Sequence, residues 1–145
     1  MTQSLKGTRT EKNLMIAFAS ESMAVNRYTY FAEAASQENR EQIAIAFRET
    51  AEDERAHARV FSRLFEGGVV EIKAAFPAVM PGKTKDNLEA SMAGEKATWS
   101  ERYPDFAGIA LEEGFPQIAE AFESIGRVEK RHEERFRRCI ELMQG

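Results

Sequence analysis

The stretch 43–61, IAIAFRETAEDERAHARVF, decides the fold, because its framework returns at 118–136 as IAEAFESIGRVEKRHEERF. Ile43, Ala44, Ala46 and Phe47 match Ile118, Ala119, Ala121 and Phe122; Glu54, His57 and Phe61 match Glu129, His132 and Phe136. Every pair is separated by 75 positions, as in 54 to 129. Apolar residues at three- and four-residue spacing read as one face of a helix, and Glu-x-x-His puts an acid and an imidazole on that same face. A single Glu-x-x-His is ordinarily a solvated helix surface. Here two copies stand at one offset and use both histidines of the chain.

Outward from these segments the repeat continues. Tyr28 maps to Tyr103 and Phe31-Ala32 to Phe106-Ala107, again at 75, whereas Glu21 maps to Glu95 at 74. One extra residue therefore lies between Glu95 and Tyr103, beside Pro104. A proline inside a helix removes a hydrogen bond, and an inserted residue next to it predicts a π-bulge or kink with the helix continuing beyond. Four helices are expected, over about 10–38, 40–66, 85–113 and 116–143. Thr8-Arg9-Thr10-Glu11 has capping-box spacing, with Thr8 as the cap. Asn39 breaks the first helical pattern and is placed to cap the second helix. Gly67-Gly68 should end the second helix, Gly114 should stop the third, and Pro116 suits the first turn of the fourth. Residues 69–84, VVEIKAAFPAVMPGKT, have no helical period and are long for a connection between neighbours. They read as a crossover joining two helical hairpins. The fold class is thus all-α, a ferritin-like four-helix bundle in a single domain over 1–145.

Composition agrees. The chain has 145 residues, 43% apolar and 30% charged, with a net charge of −4, which fits one domain with a real core and gives no basic stripe for nucleic acid. Arg135, Arg137 and Arg138 read as a solvated helix face. One cysteine, Cys139, excludes an internal disulfide and a cysteine-based zinc site, and reads as an inert or partly buried thiol. The polar N-terminus lacks the apolar run of a signal peptide, and no apolar stretch approaches a membrane span, so a cytoplasmic protein is expected.

The single glutamates fall on apolar stripes: Glu21 between Phe18 and Ala24, Glu95 between Met92 and Trp99. A buried lone carboxylate is costly and calls for a cation. One Glu from each of two helices and Glu-x-x-His from each of the other two is the ligand pattern of di-iron and di-manganese carboxylate bundles. The expected metal ligands are therefore Glu21, Glu54, His57, Glu95, Glu129 and His132. Two iron ions are the expected cofactor, with zinc or manganese as alternatives. Tyr28 and Tyr103 stand two turns after the single glutamates, either as hydrogen-bond donors to ligand carboxylates or as core aromatics. Trp99, Phe106 and the methionines read as core. Glu33, Glu38, Glu52, Asp53 and Glu101 read as solvent-facing.

At these residues the sequence resembles the rubrerythrin family, in the form without a C-terminal rubredoxin domain. The matching segments include Leu5-Lys6-Gly7-Thr8, Phe18-Ala19-Ser20-Glu21-Ser22, Asn26-Arg27-Tyr28, Glu54-x-x-His57-Ala58, Phe65-Glu66-Gly67-Gly68 and Ala93-Gly94-Glu95. Tyr103-Pro104-x-Phe106-Ala107 and Glu112-Glu113-Gly114-Phe115-Pro116 extend the match towards Glu129-x-x-His132. The resemblance implies a non-haem di-iron oxidoreductase, a peroxidase of oxidative-stress defence that reduces hydrogen peroxide to water. It implies that Glu54 and Glu129 bridge the irons, that Glu21 with His57 holds one and Glu95 with His132 the other, and that Tyr28 and Tyr103 support the ligands. Without paired Cys-x-x-Cys motifs, electrons would come from an external donor such as a rubredoxin or a flavin reductase. The family usually has a further Glu three residues after the position of Glu95, where it exchanges with a histidine at one iron; here that position is Thr98. The alternatives are a ferroxidase or iron-handling protein acting on dioxygen, and a non-catalytic metal-binding bundle. A homodimer is expected, with hairpins either exchanged between subunits or not.

Overall fold

Thr8 starts the first helix by accepting a hydrogen bond from the Glu11 backbone N–H at 3.0 Å. Such a cap stabilises a helix by about 1 kcal/mol. The reciprocal bond differs from the standard box: the Glu11 carboxylate takes the N–H of Gly7, and the N–H of Thr8 goes to the Leu5 carbonyl. The computed structural model describes residues 3–144, and Met1, Thr2 and Gly145 lie outside it. Helix α1 spans Arg9–Gln37. It ends where Asn39 adopts a left-handed φ of 61°, with the Arg40 N–H bonded to the Ala35 carbonyl and the Asn39 N–H to Ser36. Asn39 thus closes α1 rather than capping the next helix, and Arg40 makes no side-chain cap.

Helix α2 spans Glu41–Ser62, four residues short of the expected end. Beyond it the Glu66 carboxylate accepts the Leu5 N–H and the Ser4 hydroxyl, each at 2.8 Å, and Lys6 Nζ donates to the Gly67 carbonyl. These ties to the N-terminal segment hold 63–68 out of the helical path. Gly67 and Gly68 take positive φ in that turn instead of at the helix end. Residues 69–83 then run without helix or strand to α3, Thr84–Ala97. Glu38 is exposed, as expected, and its carboxylate also receives both the N–H and the hydroxyl of Thr84 at 2.8 Å, which anchors the start of α3.

The extra residue in the third helix takes the form the repeat predicts. Thr98–Arg102 form a π-helical segment, and the helix continues as α4, Tyr103–Glu112. The Tyr103 N–H reaches the Thr98 carbonyl, five residues back. Gly114 ends α4 at φ 89°, with the Phe115 N–H on the Ala110 carbonyl, and α5, Pro116–Gln144, begins on Pro116. The described residues form an all-α bundle in which α1 packs on α2, and α3 with α4 packs on α5. No described helix is long and apolar enough to cross a membrane.

The core has two clusters, related by the sequence repeat. Phe61, Tyr103, Phe106 and Phe122 belong to one; their counterparts Phe136, Tyr28, Phe31 and Phe47 belong to the other. Phe47, Phe61, Phe122 and Phe136 are fully buried. Burying such a ring stabilises the fold by about 1.5–3 kcal/mol. Trp99 is only partly buried, its indole N–H donating to Glu133 and Lys130 lying over its ring.

Candidate metal centre

Between the two aromatic clusters lie the six predicted ligands: Glu21 from α1, Glu54 and His57 from α2, Glu95 from α3, Glu129 and His132 from α5. All six are buried. They form two overlapping groups, Glu21–Glu54–His57–Glu129 and Glu54–Glu95–Glu129–His132, each with donor atoms within 4.8 Å of one another. Glu54 and Glu129 are common to both. His57 Nδ1 is 3.0 Å from Glu54 Oε1 and from Glu129 Oε1, and 3.6 Å from Glu21. His132 Nδ1 lies 3.5–3.7 Å from Glu54, Glu95 and Glu129.

The inward-facing atoms lie within ion-pair distance of one another but make no hydrogen bond. Glu54 Oε1, Glu95 Oε2, Glu129 Oε1 and both Nδ1 atoms are buried without a hydrogen-bond partner. Orphaned buried polar atoms are costly. Four carboxylates around one small space would be balanced in charge by two divalent cations, and mixed carboxylate–imidazole donors suit iron, manganese or zinc. The donor set therefore fits a two-metal centre. Without metal, the charge is relieved by protons. Burial and the neighbouring carboxylates push Glu54 and Glu129 well above the ordinary range. Burial disfavours a charged His57, but Glu129 and Glu21 outweigh it and bring its pKa up to about 10. For Glu95, burial is outweighed by Glu129, His132 and Tyr28, and its pKa is lowered.

The tyrosines cross between the halves. Tyr28 of α1 donates to Glu95 Oε1 at 2.6 Å, and Tyr103 of α4 donates to Glu21 Oε1 at 2.8 Å. Burial, then the surrounding carboxylates, raises both phenols well above 10, so they remain donors. Both tyrosines also belong to the core clusters, so each is a core aromatic whose hydroxyl bonds to a candidate ligand.

A cleft of about 550 Å³ opens on the site between α1 and the third helix, lined by Glu21, Tyr28, Glu95 and Thr98. Phe76 and Pro77 of the crossover also line it, and Arg102 lies over the Phe76 ring at 5.5 Å. Thr98 turns its hydroxyl back to the Gly94 carbonyl at 3.0 Å. Asp53, expected to face solvent, is partly exposed and also sits 2.9 Å from His132 Nε2. Arg135, expected on a solvated face, donates to Thr50 at 2.8 Å and to Asp53 at 3.4 Å. Neither contact leaves a spacing signal on its own helix, because both cross from α2 to α5.

The family profile of rubrerythrin matches residues 12–140. The chain belongs to the rubrerythrin family. The rubrerythrin of Porphyromonas gingivalis is 52% identical over 136 residues, which cover 94% of this chain and 68% of that protein. A mixed-valent state of nigerythrin superposes with a TM-score of 0.85 at 31% identity, over 99% of this chain and 71% of that one. A fully reduced, all-ferrous nigerythrin gives 0.79 at 28%, over 99% and 74%. Rubrerythrins are ferritin-like di-iron proteins, and the buried carboxylate–histidine cluster of this chain is fit for such a centre.

Proposed function

We propose that Glu21, Glu54, His57, Glu95, Glu129 and His132 hold two irons, and that the protein reduces hydrogen peroxide to water. The observation that carries this reading is the set of orphaned carboxylate and imidazole atoms converging on one buried space beside a cleft. Glu54 and Glu129, common to both donor groups, would bridge; Glu21 with His57 and Glu95 with His132 would each complete one position. An iron pair bound there would supply the two electrons that peroxide reduction needs. The protein's part is placement. Tyr28 and Tyr103 donate to Glu95 Oε1 and Glu21 Oε1, which holds each carboxylate in its orientation within the cluster. The aromatic clusters pack the bundle on either side of the site, while the cleft lined by Phe76 admits a molecule of peroxide size. Electrons would return from an external donor, such as a rubredoxin or a flavin reductase. Exposed apolar side chains on the first hairpin, among them Tyr30 and Ile45, support a homodimer.

Thr98 favours a second reading, a ferroxidase, because the family resemblance implies a carboxylate at that position and Thr98 supplies none where it borders the cleft. Anaerobic loading with ferrous iron, followed separately by peroxide and by dioxygen, separates the two. Fast stoichiometric oxidation by peroxide, with turnover on a reduced donor, is the expected result. Faster oxidation by dioxygen, or release of ferric mineral, would overturn it. Thr98→Glu should raise peroxide turnover severalfold if the missing carboxylate limits the rate; an unchanged rate would remove Thr98 as the cause.

A further inference from the structure

The two halves match in every candidate ligand, yet they differ just outside them. His132 Nε2 lies 2.9 Å from Asp53 Oδ2. Asp53 is in turn met by Arg135 Nη1, which Thr50 Oγ1 holds at 2.8 Å. At the 75-residue offset, the counterparts of Thr50, Asp53 and Arg135 are Ile125, Val128 and Val60. The polar trio beside His132 thus has apolar residues at all three matching positions, and of these Val128 borders the same groove as His57. The three carboxylates near His57 all lie at Nδ1, and its Nε2 has no carboxylate beside it among the described residues. Both rings border one groove that shares no lining residue with the cleft, and Asp53 and Val128 line it as well.

A carboxylate on the outer nitrogen of a ligating histidine fixes the tautomer and the ring plane and raises the basicity of the inner nitrogen. We propose that Asp53 is a positioning residue that makes the two metal positions unequal. The position of Glu95 and His132 has a pre-oriented imidazole, with Nε2–H donated to Asp53 and Nδ1 free for metal. The position of Glu21 and His57 must orient its ring on binding, so it fills second and empties first. The role of Asp53 is geometric, since its side chain is 41% exposed and water screens its charge. The inference rests on the metal-centre reading above.

Zinc alone is a suitable probe: it is diamagnetic and takes the same donors. With only two histidines, imidazole nitrogen–proton spectra contain two rings. In zinc-loaded protein, one ring should show a slowly exchanging Nε2–H and the other a rapidly exchanging one. Calorimetric titration should show two unequal binding steps. Asp53→Ala should abolish the slow proton and weaken one step by about 10–100-fold, the usual cost of losing such a partner. Val128→Asp should create a second slow Nε2–H and bring the two steps together. Equal exchange at both rings in the unaltered protein would overturn the inference whatever the variants do. So would equal weakening of both steps by Asp53→Ala. Two zinc ions with equal rings would leave the metal-centre reading standing; no zinc uptake would remove that reading and this one with it.

Discussion

At the scale of single residues, the cluster is a set of groups that fold at a cost when no cation is present. His57 is brought from 6.5 to about 10, and Glu54 and Glu129 are pushed well above 4.5. A group whose folded pKa exceeds its unfolded value binds more protons when folded, so its contribution is lost as pH rises. The carboxyls contribute fully below about pH 4.5; His57 contributes fully below about 6.5 and loses its contribution as pH approaches about 10. Metal-free protein should therefore melt at progressively lower temperature as pH rises through the His57 window. Metal-loaded protein should show a flatter profile, and metal uptake should release protons into a weakly buffered solution. A metal-free melting temperature that rises with pH over that window would contradict the assignment. The six candidate ligands were legible as a buried cluster because the repeat pairs them and both histidines fall within it. Asp53 was not legible, because its partners lie on α5 and its exposure is that of an ordinary surface acid.

Among the elements, the π segment has the most specific sequence origin. Glu21 and Tyr28 are seven residues apart in α1, and Glu95 and Tyr103 are eight apart, yet both tyrosines reach the opposite glutamate. The segment Thr98–Arg102 absorbs the extra residue just before Pro104, whose ring would clash with a carbonyl four residues back in a regular helix. Deleting Ser100 should restore the α1 register but leave Pro104 in a regular helix, at a cost of about 3 kcal/mol. The same deletion with Pro104→Ala should recover stability and still bind two metals, measured by thermal melting and metal stoichiometry. Loss of metal from the double variant would mean that the π segment itself shapes the ligand set. The mismatch of 74 against 75 made this segment readable. The end of α2 was not readable, because Gly67-Gly68 resembles a helix stop while Glu66, bound to Leu5, has already drawn the chain away. Asn39 misled in a related way: its left-handed φ completes the end of α1, a role that its spacing alone does not separate from a cap.

For the whole molecule, the repeat builds two hairpins whose aromatic clusters flank one carboxylate–histidine site. The crossover runs from the ties at Glu66 and Gly67 to the tie between Glu38 and Thr84, bringing Phe76 to the cleft. This arrangement leaves the site reachable from the α1–α3 side and bounded by the two histidines on the other. The bundle and its crossover followed from periodicity and loop length, whereas the cleft depends on packing angles that no spacing encodes. The central claim is that six residues hold two metals, two of those residues being shared. An anomalous-scattering map of crystals grown from iron-loaded protein tests it most directly. The account predicts two peaks within the cluster, one beside Glu21 and His57, the other beside Glu95 and His132, with Glu54 and Glu129 contacting both. A single peak, or peaks bound by other residues, would contradict it.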